Sequence, residues 1–227
     1  MIESASIAAA PEAPATPMRA DMLDLAFALE GHELPLAHRA ALADALQRVL
    51  PWLDEGSGVA VHRLNVAAGG GPLALLSGRT RLTLRLPRAR VADALALCGT
   101  TLEVAGRTLR VGAAQPRELL AFGTLFAHFV AADAEVGEGG EAAAGDEGAF
   151  LGAVQQELAA LGVSARVICG RHQTLEDGTL GGYGLMLDGL GREDSRRVLE
   201  RGLGPHRLWG CGVFVPHRSA AAVGQAA

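Results

Sequence analysis

The feature that most restricts how this chain can fold is an order of strand and helix patterns that occurs twice. In the first copy, residues 22–29 (MLDLAFAL) alternate apolar side chains and predict a strand. A helix is expected from about Pro35, near its first turn, with Leu42, Leu46, Val49 and Leu53 at helical spacing. Gly56 and Gly58 end that unit, and residues 59–64 predict a strand. Residues 80–86 (TRLTLRL) alternate strictly, with Arg81, Thr83 and Arg85 on one face and Leu82, Leu84 and Leu86 on the other. Pro87 opens a second helix through Val91, Ala94, Leu95 and Cys98, which Gly99 stops. Residues 102–104 and 108–111 flank Gly106 as a final strand or hairpin.

The second copy runs in the same order. Residues 122–130 predict a strand, and 150–161 a helix through Leu151, Val154, Leu158 and Leu161. Strands over 165–169 and 183–187 form a hairpin with Glu176, Asp177 and Gly178 at its tip; a short helix over 192–201 and a last strand over 208–215 follow. Each copy reads β-α-β-β-α-β, so the expected fold class is α+β, with two tandem ferredoxin-like (RRM-like) domains. The expected division is a disordered tail over 1–20, domains over 21–118 and 119–218, and a second tail over 219–227. An acidic, low-complexity insertion over 132–148 and a glycine-rich loop over 202–212 belong to the second domain.

Charge matters because it is uneven. The net formal charge of -5 argues against a polyanionic partner, yet residues 59–118 hold nine Arg against Asp93, Glu103 and Glu118. The insertion carries six acidic residues between 133 and 147, and its acidity would repel RNA, so it is expected to point away from a binding surface. All 20 basic residues are Arg, the type suited to bidentate phosphate contacts; a GC-rich genome that replaces Lys would leave the same mark. Cys98, Cys169 and Cys211 are odd in number and far apart, which fits a cytoplasmic protein without disulfides or a zinc site. The first twenty residues lack a signal-peptide pattern, and no apolar run is long enough to span a membrane.

The strongest local motif is GLGPHRLWGCGVFV, from 202 to 215. Gly202, Gly204, Gly210 and Gly212 form two G-x-G pairs between a helix and the last strand. Such a loop can approach a phosphate backbone and offer its N–H groups, with His206 and Arg207 as further donors and Trp209 as a stacking face. The plainer reading is a tight helix-to-strand turn.

This loop, on tandem ferredoxin-like domains, resembles the C-terminal glycine-rich signature of the RAMP superfamily. The runs LAFALEG (25–31), LPLAHRAALADALQRVLPWL (34–53), SGRTRLTLRLP (77–87), LGREDSRRVLERGLG (190–204) and WGCGVFVP (209–216) are similar to its CRISPR repeat-processing endoribonuclease branch, Cas6. The resemblance covers most of 23–216 and fails in the insertion and both tails. It implies cleavage of CRISPR repeat RNA in the precursor transcript, with no metal and no cofactor, to give mature crRNA. A 2′-hydroxyl attacks the adjacent phosphate and leaves a 2′,3′-cyclic phosphate and a 5′-hydroxyl, so the protein need supply only a general base or acid and a cation.

Members of this branch commonly carry the catalytic His after the first strand, at or near the first helix, and His38 in LP-x-x-H occupies that place; His32 in the preceding loop is the alternative. Arg39 is a candidate for stabilising the developing charge. Arg171, His172, Arg192 and Arg196 are candidate RNA contacts, together with Gly202, Gly204, His206, Arg207, Gly210 and Gly212. A solvated helix face paired with Glu193, Asp194 and Glu200 is the other reading of Arg192 and Arg196, and RNA or water suits Arg81 and Arg85 equally. His62 and His128 are expected as packed strand histidines. Family members often add a Tyr, Ser or Lys; here there is no Lys and the single Tyr, Tyr183, is in the second copy, which leaves the partner of His38 unassigned. The alternative function is an inactive repeat-RNA-binding subunit of a CRISPR effector complex. A ferredoxin-like small-molecule sensor would explain the acidity but not the doubled G-x-G.

Overall fold

The computed structural model describes residues 20–69, 71–132 and 146–218. The expected tails and the acidic insertion lie, apart from their edges, outside the described residues. In chain order the first half contains β1 (Met22–Glu30), β2 (Glu33–Pro35), α1 (Arg39–Val49), β3 (Ala60–Val61), β4 (Ala67–Ala68), β5 (Leu73–Leu75), β6 (Arg81–Pro87), α2 (Val91–Ala94), β7 (Thr101–Val104) and β8 (Arg107–Glu118). The second contains β9 (Thr124–Ala131), α3 (Glu147–Ala160), β10 (Arg166–Leu175), β11 (Leu180–Asp188), α4 (Arg192–Arg201) and β12 (Phe214–Pro216).

The first main sheet has the order β3-β6-β1-β8-β7 and the second β10-β11-β9-β12. In both, the first strand of the unit lies antiparallel between the third and the last. That is the ferredoxin-like arrangement, built twice. Alternation selects the inner face: Leu23, Leu25, Phe27 and Leu29 of β1 and Leu82, Leu84 and Leu86 of β6 meet Leu42 and Leu46 of α1 in one core. Leu125 and Ala127 of β9, Leu185 and Leu187 of β11, and Phe150, Val154 and Leu158 of α3 build the other.

The elements differ from the pattern where tertiary contacts override it. Helix α1 starts at Arg39, because Leu34 is fully buried opposite Ala74 and Pro35 pairs with Leu73 in a small sheet of order β2-β5-β4. The fixed φ of proline suits a strand edge as well as a first helical turn. Leu50, restricted by Pro51, leaves the helix, and Leu53 reaches the core from the turn beyond. The strand expected over 208–215 shrinks to β12, since Gly210 and Gly212 take φ of +79° and +63°. Among the described residues no helix is long and apolar enough to cross a membrane.

The outward face of β6 is not a solvent face. Arg85, expected to meet RNA or water, is 1% exposed and sealed between the two halves. Its Nε and Nη2 donate to the two carboxylate oxygens of Asp24 at 2.8 and 3.0 Å, and its Nη1 donates to the carbonyls of Leu199 and Phe214 at 2.9 and 2.8 Å. His62 Nε2 lies 3.1 Å from Asp24 Oδ1. Burial pushes the Asp24 carboxyl up, but Arg85 and His62 more than offset this and hold it well below the usual carboxylate range. His62 is thus a satisfied histidine, as its strand pattern suggests. Replacing Arg85 by Met leaves two carbonyls unpaired and Asp24 with His62 in place of a bidentate guanidinium, and chemical denaturation should report a loss of about 3–5 kcal/mol. The double variant Asp24→Leu, Arg85→Met should recover part of that loss, since it removes both charges.

Candidate active site

A cleft of about 550 Å³ opens where the halves meet, lined from the first half by Leu36, His38, Arg39 and Arg63 and from the second by His128, Gln173, Thr174, Glu176 and Asp177. His38 stands at the N-cap of α1 and is 7% exposed. Its Nδ1 lies 2.6 Å from the carbonyl of Pro35. A carbonyl can only accept, so Nδ1 carries the ring proton and Nε2 keeps a lone pair. Burial lowers the proton affinity of this ring; the Pro35 carbonyl opposes that, Arg39 adds to it, and Glu176 opposes it again. The net shift is downward, so His38 is neutral at neutral pH and able to take a proton.

Two guanidinium groups share the cleft. Arg39 is held by Nη1 donating to the carbonyl of Trp209 at 3.2 Å. Arg63, exposed, donates from Nη1 to His128 Nδ1 at 3.3 Å, which leaves the proton of His128 on Nε2. His128, expected as a packed histidine, is instead exposed on β9; partial desolvation on the cleft wall, and then the charges of Arg63, Arg39 and His217, hold its proton affinity down. Neither Arg63 nor His128 stands out in the sequence, because alternation assigns a face to a strand residue but not what that face meets.

The other expected site residues divide. His32 is exposed and outside the lining of the cleft. Arg171 and Arg192 are exposed; Arg196 is tied to Glu193 and, at 2.7 Å, to Glu200, which is the charged-face reading. His172 packs edge-on to Tyr183, with ring centroids 5.2 Å apart and its Nε2 buried, on the face that carries Phe150 of α3. His206 stacks on Trp209 at 4.9 Å.

The glycine loop is shaped by its own packing. The N–H groups of Gly202, Leu203, Trp209, Gly210, Cys211 and Gly212 donate to backbone carbonyls, and that of Gly204 to Glu157 Oε2. These donors are therefore already used inside the protein. A Cβ on Gly212 would lie 1.8 Å from the Leu203 carbonyl oxygen, and one on Gly202 would lie 2.4 Å from that of Gly212, so the two limbs of the loop touch through glycine. The loop drives Leu208 into the first core and brings the Trp209 carbonyl to Arg39. Arg207 lies behind it, its guanidinium pushed down to about 10 by burial and by Arg85 and Arg201. Among the described residues no three His, Cys, Asp or Glu side chains converge as a metal-binding set. Gly212→Ala should lower the melting temperature by several degrees, and its Cβ clash should also weaken the hold of the loop on Arg39.

Comparison with known proteins agrees with this architecture. The sequence model of the Cas6 Crispr family matches residues 23–219. The chain is 38% identical over 203 residues to the CRISPR-associated endonuclease Cas6 of Myxococcus xanthus (strain DK1622), covering 88% of this chain and 84% of that protein. A solved CRISPR associated protein Cas6 superposes with a TM-score of 0.60 at 11% identity, covering 87% of this chain and all of that one. A Cas6-related protein from Pyrococcus furiosus gives 0.56 at 10% identity, covering 86% and 98%. At such identities the two structures speak for the fold alone.

Proposed function

The chain belongs to the Cas6 family, and from that premise we propose that it is an endoribonuclease that cuts CRISPR repeat RNA within the precursor transcript to release crRNA. The observation that carries this reading is His38: a neutral imidazole with Nδ1 committed to Pro35, so that the ring's lone pair lies on Nε2, on the wall of a cleft that also holds Arg39 and Arg63.

In the proposed step the 2′-hydroxyl gives its proton to His38 Nε2 as O2′ bonds to phosphorus. Arg39 and Arg63 balance the charge that grows on the phosphate oxygens, and His128 Nε2–H adds a donor. The P–O5′ bond breaks, and the leaving 5′-oxygen takes a proton from water, which reaches the exposed side of the cleft at Arg63 and His128. The products are a 2′,3′-cyclic phosphate and a 5′-hydroxyl. RNA supplies its own nucleophile, so the reaction needs no metal, and DNA, which lacks the 2′-hydroxyl, is not cut. Arg171, Arg192 and His206 are the proposed outer contacts to the RNA.

Single-turnover cleavage of repeat RNA in EDTA tests the reading. The ribose substrate should be cut and a copy with 2′-deoxy at the scissile nucleotide should not. His38→Ala should slow cleavage at least about 100-fold with RNA affinity little changed. Tight binding without cleavage by the unaltered protein would instead assign it the role of an RNA-binding subunit. Because the active base is the unprotonated ring and its proton affinity is lowered, activity should rise with pH through a midpoint below 6.5 and level off above it. A midpoint above that value would contradict the assignment.

A further inference from the structure

Helix α1 begins without a cap of its own: the His38 side chain makes no capping bond. The backbone N–H groups that open the helix are met instead from the other half of the molecule. Glu176 Oε1 accepts from Arg39 N at 3.1 Å, and its Oε2 lies 3.5 Å from Ala40 N. A carboxylate suits this place, where unpaired N–H groups and the helix dipole concentrate positive charge. Glu176 sits at the tip of the β10–β11 hairpin, 137 positions further along the chain. It reaches α1 through a strained turn, with Glu176 and Asp177 at φ of +50° and +56°, a region that non-glycine residues seldom occupy.

We propose that Glu176 is the positioning residue for His38: the hairpin tip of the second half fixes the start of α1 and the charge beside the imidazole. The inference rests on the reading of His38 as the base. A base carried by one half is then competent only while the other half is docked on it. The groups that face His38 are Arg39 and the carbonyls of Pro35 and Leu36 from its own segment, Glu176 and Asp177 from the hairpin, Arg63 from the segment after β3, and His128 from β9. Glu176 is a carboxylate among them that is bonded to the helix end from which His38 projects.

The test is Glu176→Gln in the full-length protein, with the His38 ring titrated by NMR and repeat RNA cleaved under single-turnover conditions. Removing the negative charge should move the His38 midpoint to lower pH. The acid limb of the cleavage profile should follow it, the plateau rate should fall about tenfold, and RNA affinity should stay within about twofold. Glu176→Asp, which keeps the charge, should restore the midpoint toward that of the unaltered protein. A His38 midpoint that Glu176→Gln leaves in place overturns the proposal. A midpoint that moves while cleavage ignores it upholds the hold of Glu176 on His38 and overturns the role of His38 as base.

Discussion

Arg85 is the group on which the arrangement of the two halves rests. Strict alternation in β6 places Leu82, Leu84 and Leu86 in the first core and so sends Arg85 to the opposite face. There its guanidinium holds Asp24 on the neighbouring strand while Nη1 donates to Leu199 and Phe214 in the second half. A guanidinium stripped of water is costly unless its donors are met, and this one is met by both halves at once. The docking it imposes lays the glycine loop against β3, inserts Leu208 into the first core, and carries the β10–β11 hairpin to the start of α1. The cleft follows from that docking, since His38, Arg39 and Arg63 come from one half and His128, Glu176 and Asp177 from the other.

Much of the fold is legible in local pattern. The alternation of β1 and β6, the helix over 192–201 and the hairpin tip at Glu176 are written in short windows, because each depends on side-chain period or turn chemistry. What is not legible depends on partners distant in sequence. The start of α1 is set by Leu73 and Ala74 pairing with Pro35 and Leu34, and nothing within the helix pattern announces a strand there. The burial of Arg85 needs a second half to cover it. His38 is visible through its family motif, whereas Arg63 and His128 become neighbours only when β9 is docked beside the segment after β3. The glycine loop is conspicuous as a motif, but its glycines answer to close contacts inside the protein, Gly202 and Gly212 across the loop, Gly204 against β9 and Gly210 against β3, and the N–H groups of these four are satisfied internally.

Two levels of organisation thus meet at one imidazole. Its own segment chooses the tautomer through the Pro35 carbonyl, and the second half supplies the anion that closes the helix end beside it. The glycine loop contributes indirectly, through the carbonyl that orients Arg39. Charges of both signs lie in the cleft: Glu176 is committed to α1, while Asp177 and the guanidinium groups of Arg39 and Arg63 line it, and those guanidinium groups are the ones proposed to meet the phosphate.

The most direct measurement is a structure of the full-length protein bound to repeat RNA made uncleavable by a 2′-deoxy at the scissile nucleotide. The account predicts the scissile phosphate in the cleft between the halves, with the position of the missing 2′-oxygen about 3 Å from His38 Nε2 and a guanidinium of Arg39 or Arg63 on the phosphate. A scissile phosphate seated elsewhere, with His38 still bonded to Pro35 and out of reach of the RNA, would contradict it.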